Sequence, residues 1–302
     1  MLLIGDCYKK IDEIEEKSVQ AIVTSPPYWG LRDYNRDGQL GEELTPDDFV
    51  VKLTALFNKS KRVLRDDGTL WVNIGDTYFG AKGGHWDGGN SITNDATGSN
   101  YRMQRKAPPK HPRLKTKDLC GVPWMFAFAM QKDGWYLRQD IIWHKPNPMP
   151  EAVKDRCVKS HEYIFLFSLK PKYYFDYKAI QEKAKYIGDN RGARKDIRRD
   201  EPKACSVAAS SQPTGEYKNK RSVWSFNTAQ SGEAHFAVFP EKLPELCIKA
   251  GTKEGDVVLD PFMGSGTTAT VAKRLGRKWV GIELNEDYAK FIKNKTAQEE
   301  LF

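Results

Sequence analysis

One stretch constrains this chain more than any other, Gly255-Asp-Val-Val-Leu-Asp-Pro-Phe-Met-Gly-Ser-Gly-Thr-Thr268. Its apolar run, Val257–Asp260, reads as a buried strand that ends in an acid. A Gly264-Ser-Gly266 turn follows, and Thr267–Leu275 takes up a helical pattern. Glycines in such a turn let the backbone pass close to a ligand, and an acid at the strand end can bind a ligand amine or hydroxyl. A second strand, Trp279–Glu283, ends in another acid about twenty residues on, where folds of this kind hold ribose hydroxyls. A nucleotide or dinucleotide fold stays open, but the loop lacks both GxGxxG spacing and the lysine of a GK[ST] phosphate loop.

The rest of the chain repeats the alternation. Val19–Thr24 (VQAIVT) is a short apolar run before Pro26-Pro27 and predicts a buried strand. Asp47 and Asp48 open a helix with Phe49, Leu53, Leu56, Phe57, Ser60 and Val63 near one face. Asp66-Asp67-Gly68 predicts a turn, and Thr69–Ile74 the next strand. Leu119–Asp133 and Phe239–Ala250 read as helices, Tyr136–His144 and His161–Ser168 as strands. Strands alternating with helices predict a parallel α/β sheet in one domain spanning 1–302.

Charge separates two segments from this body. The net charge is +8, yet residues 80–117 hold eight Lys/Arg against two Asp/Glu, and residues 178–222 hold twelve against six. The remainder is therefore net negative. Two basic segments on such a body suit a polyanion partner, because counterion release supplies non-specific affinity; solvated loops would look the same by charge alone. The five cysteines are scattered, with no metal-ligand spacing, which predicts reduced thiols and no metal. The start has no apolar signal core and no run approaches a membrane span, so a cytoplasmic protein without a membrane partner is expected.

Thr24-Ser-Pro-Pro-Tyr-Trp29 lies at the end of the early strand. With it the chain resembles the amino-group DNA methyltransferases, whose catalytic motif reads [DNS]PP[YFW] and whose cofactor motif resembles Asp260–Thr268. The catalytic motif comes first, as in the permuted class of that family. Leu3–Cys7, Ile141–Asn147, His161–Phe165 and His235–Pro240 extend the likeness over most of the chain.

The resemblance implies a Rossmann-like methyltransferase fold, with a mainly parallel sheet, helices on both faces and basic loop insertions. It implies S-adenosylmethionine as cofactor and double-stranded DNA as partner, with a homodimer and a cognate restriction endonuclease as further candidate partners. Ser25, Pro26, Pro27 and Tyr28 become the catalytic set. Asp260, Pro261, Phe262, Gly264, Ser265, Gly266 and Thr267 become the cofactor loop, with Asp260 suited to the cofactor's ammonium group. Glu283 with Leu284 would meet the ribose, Asp6 with Cys7 the adenine edge, and Phe236 and Pro240 the methionine side. Bland alternatives are a capping aspartate at 6, a core aromatic at 236 and a helix-start proline at 240. Serine as first residue of the catalytic motif favours cytosine N4 as acceptor, with adenine N6 the alternative. Residues 80–117 (a basic, mobile insertion) and 178–230 (target recognition) lie outside every motif; Arg194, Lys195, Arg198 and Arg199 are the candidate DNA-binding residues.

The chemistry accounts for these residue types. An exocyclic base amine is a poor nucleophile because its lone pair is delocalised into the ring. Ser25 Oγ and the Pro26 carbonyl can accept its hydrogens and favour a tetrahedral nitrogen, while the prolines hold the turn. Tyr28 offers a face for a flipped base. His144 and Lys145 invite an acid–base role, but a strand-end histidine reads first as structural, and His144 is left out of the catalytic set.

Overall fold

The structure is a computed structural model that describes residues 1–31, 38–80, 93–94, 100–101, 111–184, 216–229 and 240–298. The chain divides into two units, the larger made of Met1–Phe175 with Ser222–Phe302, the smaller of Asp176–Arg221. In the smaller, Glu182-Lys183 pairs antiparallel with Tyr217-Lys218, and Arg221 donates to Glu182 at 2.7 Å.

The larger unit is built on an eight-stranded sheet. Its strands are β1 (Leu2–Ile4), β2 (Val19–Thr24), β3 (Leu64–Ile74), β4 (Tyr136–His144), β5 (His161–Ser168), β6 (Val223–Ser225), β7 (Val257–Asp260) and β8 (Lys278–Glu283). Their order across the sheet is β1-β8-β7-β2-β3-β5-β4-β6. Neighbours run parallel except β5, which is antiparallel to both β3 and β4. All six residues of β2 are buried, as a strand covered on both faces requires.

Helices cover the two faces. Leu70, Val72 and Ile74 of β3 share one core with Phe49, Leu53 and Phe57 of α2 (Pro46–Ser60) and Phe126 and Met130 of α3 (Val122–Lys132); α1 is the single turn Cys7–Lys10. On the other face α4 (Lys242–Gly251) lies so near the sheet that a Cβ at Gly251 would sit 2.7 Å from Thr69 Oγ1. There α5 (Thr267–Arg274) and α6 (Glu286–Gln298) meet through Ala269 and Ile292, with Met263. Among the described residues no helix is long and apolar enough to cross a membrane.

Three expectations shift. Asp66-Asp67-Gly68 does not interrupt the chain but lies inside β3, where the register against β2 slips between Val19 and Ala21. Gly68 permits this, since a Cβ there would stand 2.7 Å from Leu64 Cδ1 and 2.9 Å from the Gln20 carbonyl. Helix α3 starts at Val122 rather than Leu119, because Gly121 at φ 78° breaks the run and Asp76 Oδ1 accepts from the amides of Gly121 and Val122. The three-residue strands β1 and β6 show no periodicity of their own, and α6 is likewise additional to the expected elements.

Candidate active site

Because β8, β7 and β2 are adjacent and parallel, Glu283, Asp260 and Thr24 end on the same edge of the sheet. Ligands of open α/β sheets bind at such carboxyl ends. A cavity of about 410 Å³ opens there. Its walls take Ser25, Pro26, Pro27 and Tyr28 from the turn after β2, and Pro261, Phe262, Gly264 and Ser265 from the loop after β7. Glu283 and Leu284 come from the end of β8, and Asp6 and Cys7 from the turn after β1. The expected catalytic set and most of the expected cofactor set thus share one space, although the Ser25–Tyr28 turn and the Pro261–Ser265 loop stand more than two hundred residues apart.

Asp260 is placed differently. It is 1% exposed and is not a cavity wall. Its Oδ1 accepts from Thr24 Oγ1 at 2.6 Å and from the Phe262 amide at 3.0 Å, while Oδ2 accepts from Thr268 Oγ1 at 2.6 Å. This carboxylate ties the end of β2 to the loop after β7 and to the first turn of α5. Burial pushes its pKa up to about 6, against those three hydrogen bonds.

Glu283 does meet the cavity. Its Oε2 accepts from the Gly264 amide at 2.7 Å and Oε1 from the Asn285 amide at 2.9 Å; burial raises its pKa to about 6, with the charge of Asp260 adding. Asp6 accepts from the Tyr8 amide at 2.9 Å as a helix cap and also lines the cavity. Gly5 makes this possible, since its φ of 133° lets its amide donate to the Glu283 carbonyl at 2.8 Å. Burial pushes the Cys7 thiol up to about 12, which keeps it neutral. Gly266 caps α5 at φ 80°, and Thr267 is buried beside Ser265, its Oγ1 3.2 Å from the Ser265 Oγ; both stand behind the wall. Pro240 precedes α4, its carbonyl accepting from the Leu243 amide at 2.9 Å, and is not a cavity wall; the helix-start reading fits it. Phe236, Arg194, Lys195, Arg198 and Arg199 lie outside the described residues.

The Ser25–Tyr28 turn is anchored at both ends. Trp29, 7% exposed, stacks on Phe79 and donates from Nε1 to the Glu43 carbonyl at 2.9 Å. Gly75 leaves room for the Tyr28 ring, since a Cβ there would stand 2.6 Å from Tyr28 Cε2. The Tyr28 hydroxyl donates to Glu162 Oε2 at 2.6 Å, Asn73 Nδ2 donates to the same oxygen at 3.0 Å, and Lys145 donates to Glu162 Oε1. Asn73, Lys145, Glu162 and Trp143 all line the cavity, and sequence reasoning assigned none of them to the site. For Trp143, Lys145 and Glu162 the signal was present in the stretches Ile141–Asn147 and His161–Phe165, whereas Asn73 lay in a run that read only as a strand. His144, by contrast, pairs Nδ1 with Ser225 Oγ at 3.0 Å across β4 and β6, as a structural residue.

An α/β sheet with a glycine loop and a Ser-Pro-Pro-Tyr turn on one cavity defines the S-adenosylmethionine-dependent methyltransferase fold, and solved structures agree. The PvuII DNA methyltransferase (cytosine-N4-specific) superposes with a TM-score of 0.66 at 19% identity, over 98% of this chain and 85% of that one. An M1.HpyAVI–SAM complex does so with a TM-score of 0.54 at 19% identity, over 98% of both chains. The DNA methylase family matches residues 19–294, and the chain belongs to that family. Among its relatives, the Type II methyltransferase M.SmaI of Serratia marcescens is 45% identical over 97% of this chain and 89% of its own length. The Type II methyltransferase M.Cfr9I of Citrobacter freundii is 44% identical over 99% and 88%.

Proposed function

We propose that this DNA methyltransferase transfers a methyl group from S-adenosylmethionine to cytosine N4 of a base flipped out of duplex DNA. The observation that carries the reading is that the Ser25–Tyr28 turn and the Pro261–Ser265 loop wall a single cavity. The cavity also suits the cofactor's charge. Its described walls carry the acids Asp6, Glu162 and Glu283 against one lysine, Lys145, which is paired with Glu162. That balance favours a cationic ligand and disfavours a pyrophosphate. Glu283 would hold the ribose hydroxyls, while Pro261, Phe262, Ile282 and Leu284 offer apolar walls for the adenine.

When bound, the cofactor supplies an electrophilic sulfonium methyl. The protein's part is positioning. Ser25 Oγ and the Pro26 carbonyl accept hydrogen bonds from the amine and favour a tetrahedral nitrogen, while Tyr28 offers the base a ring face held by Gly75 and Glu162. Asp260 acts one step back, by holding Thr24 and Phe262 in place. Serine at position 25 favours cytosine N4 over adenine N6, through its likeness to the Ser-Pro-Pro-Tyr enzymes. In the same reading, a cognate restriction endonuclease cuts the sites that this protein leaves unmethylated. Nucleoside mass spectrometry of DNA from cells expressing the protein tests the acceptor. N4-methylcytosine absent from cells with a Ser25→Ala variant is expected; N6-methyladenine would overturn the choice of base, and neither product the reading as a whole.

A further inference from the structure

We propose that Lys145 reads the target base by donating a hydrogen bond to the ring nitrogen beside the reacting amine, and that Glu162 positions it. This rests on the reading that the Ser25–Tyr28 side of the cavity holds the base. Three donors converge on Glu162: the Tyr28 hydroxyl at 2.6 Å, Asn73 Nδ2 at 3.0 Å and the Lys145 ammonium. These side chains come from the catalytic turn, β3, the end of β4 and the start of β5, so the carboxylate joins four parts of the fold at one cavity wall. The side chains of Lys145 and Glu162 are only 19% and 13% exposed, and Lys145 Nζ lies 4.5 Å over the Trp143 ring. An ammonium carries three N–H donors and no acceptor. One is spent on Glu162, and the described residues show no second hydrogen-bond partner for Nζ.

The chemistry then selects a base. At the C4 or C6 end of their Watson–Crick edges cytosine and adenine present an amine donor next to a ring-nitrogen acceptor, whereas guanine and thymine present there a carbonyl acceptor next to an N–H donor. A pocket with acceptors at Ser25 Oγ and the Pro26 carbonyl, and a pure donor at Lys145, matches the first pattern and opposes the second on both counts. Burial next to Trp143 and Glu162 restricts the ammonium to one region, which turns a flexible cation into a reader. Glu162 holds Tyr28 and Lys145 at once, so its loss should relax both base stacking and base reading.

The test uses full-length protein and duplexes carrying its mapped methylation site. The target base is either natural or a deaza analogue with C–H in place of the ring nitrogen next to the amine. Wild type should methylate the deaza duplex about 10- to 100-fold more slowly in single turnovers, the loss expected for one charge-assisted hydrogen bond. Lys145→Met should lose about as much on the natural base and nothing further on the analogue. Glu162→Gln should show intermediate sensitivity to the analogue. Unchanged S-adenosylmethionine affinity in both variants marks an intact fold. If Lys145→Met keeps the full penalty on the analogue, or Glu162→Gln alone loses it, the assignment of Lys145 is overturned. If wild type itself transfers no methyl group to the natural duplex, the proposed function falls, and this inference with it.

Discussion

At the residue scale the decisive fact is that the two acids at neighbouring strand ends differ in use. Glu283 faces the cavity, whereas Asp260 spends its carboxylate on Thr24, Thr268 and the Phe262 amide. The Asp260 pKa, about 6 when folded against an ordinary 3.8, makes its cost depend on pH. Between these values the folded chain binds more protons than the unfolded one, so stability falls as pH rises through the window and levels off above it. Asp260→Asn keeps the shape and lets the Thr268 hydroxyl accept instead of donate. The ligand-free variant should therefore exceed wild type in stability at pH 8, by on the order of 2–3 kcal/mol, with the gap closing by pH 4. Urea unfolding at pH 4, 6 and 8 checks this, and a pH-independent gap would show that desolvation is not the cause. Ser25→Ala and Tyr28→Ala act at the other end of the cavity. Both should lower the single-turnover methylation rate far more than cofactor affinity, and Tyr28→Ala should also weaken capture of the base by about 1–3 kcal/mol. Wild-type rates in either variant would remove the turn from the catalytic set.

At the scale of elements, the site depends on how strand ends and turns hold one another. Asp76, just past β3, caps α3 by accepting from the Gly121 and Val122 amides at 3.0 and 3.1 Å. Asp76→Ala should cost about 1–2 kcal/mol of global stability, read by chemical denaturation, because it orphans a helix start packed in the core. Gly75→Ala is a sharper probe of the turn. Gly75 does not adopt a positive φ, so alanine carries no backbone penalty, but its Cβ would meet the Tyr28 ring at 2.6 Å. The ring must move, and a displacement of that size can cost about a hundredfold in rate. Single-turnover kinetics should show that loss while cofactor titration stays unchanged; equal damage to both would place Gly75 in the fold's support instead.

At the scale of the whole molecule, the charge pattern sets the expectation for DNA. Outside residues 80–117 and 178–222 the chain is net negative, so affinity for a duplex has to come from the basic segments. Neutralising Arg194, Lys195, Arg198 and Arg199 together should weaken DNA binding across all sequences. It should also flatten its dependence on salt, by up to about 0.9 log units per lost phosphate contact. Binding isotherms at several salt concentrations measure the slope, and identical slopes would move the DNA surface elsewhere. Cofactor affinity is the control, since the four substitutions leave the Pro261–Ser265 loop and Glu283 unchanged.

The sequence by itself determined the parallel α/β pattern, the two motifs and the chemistry they carry, because strand ends, glycine turns and prolines act through local backbone preferences. It could not show that Thr24 and Asp260 share a hydrogen bond across 236 positions, nor that Tyr28, Lys145 and Asn73 converge on Glu162. Those juxtapositions follow from strand order, in which β7 inserts beside β2 and β5 turns antiparallel between β3 and β4. Strand order is settled by burying both faces of the sheet together, a long-range balance that no local pattern records. The same balance decided that Asp260 meets Thr24 and Thr268, since a strand-end acid looks alike in sequence whether or not threonines stand beside it.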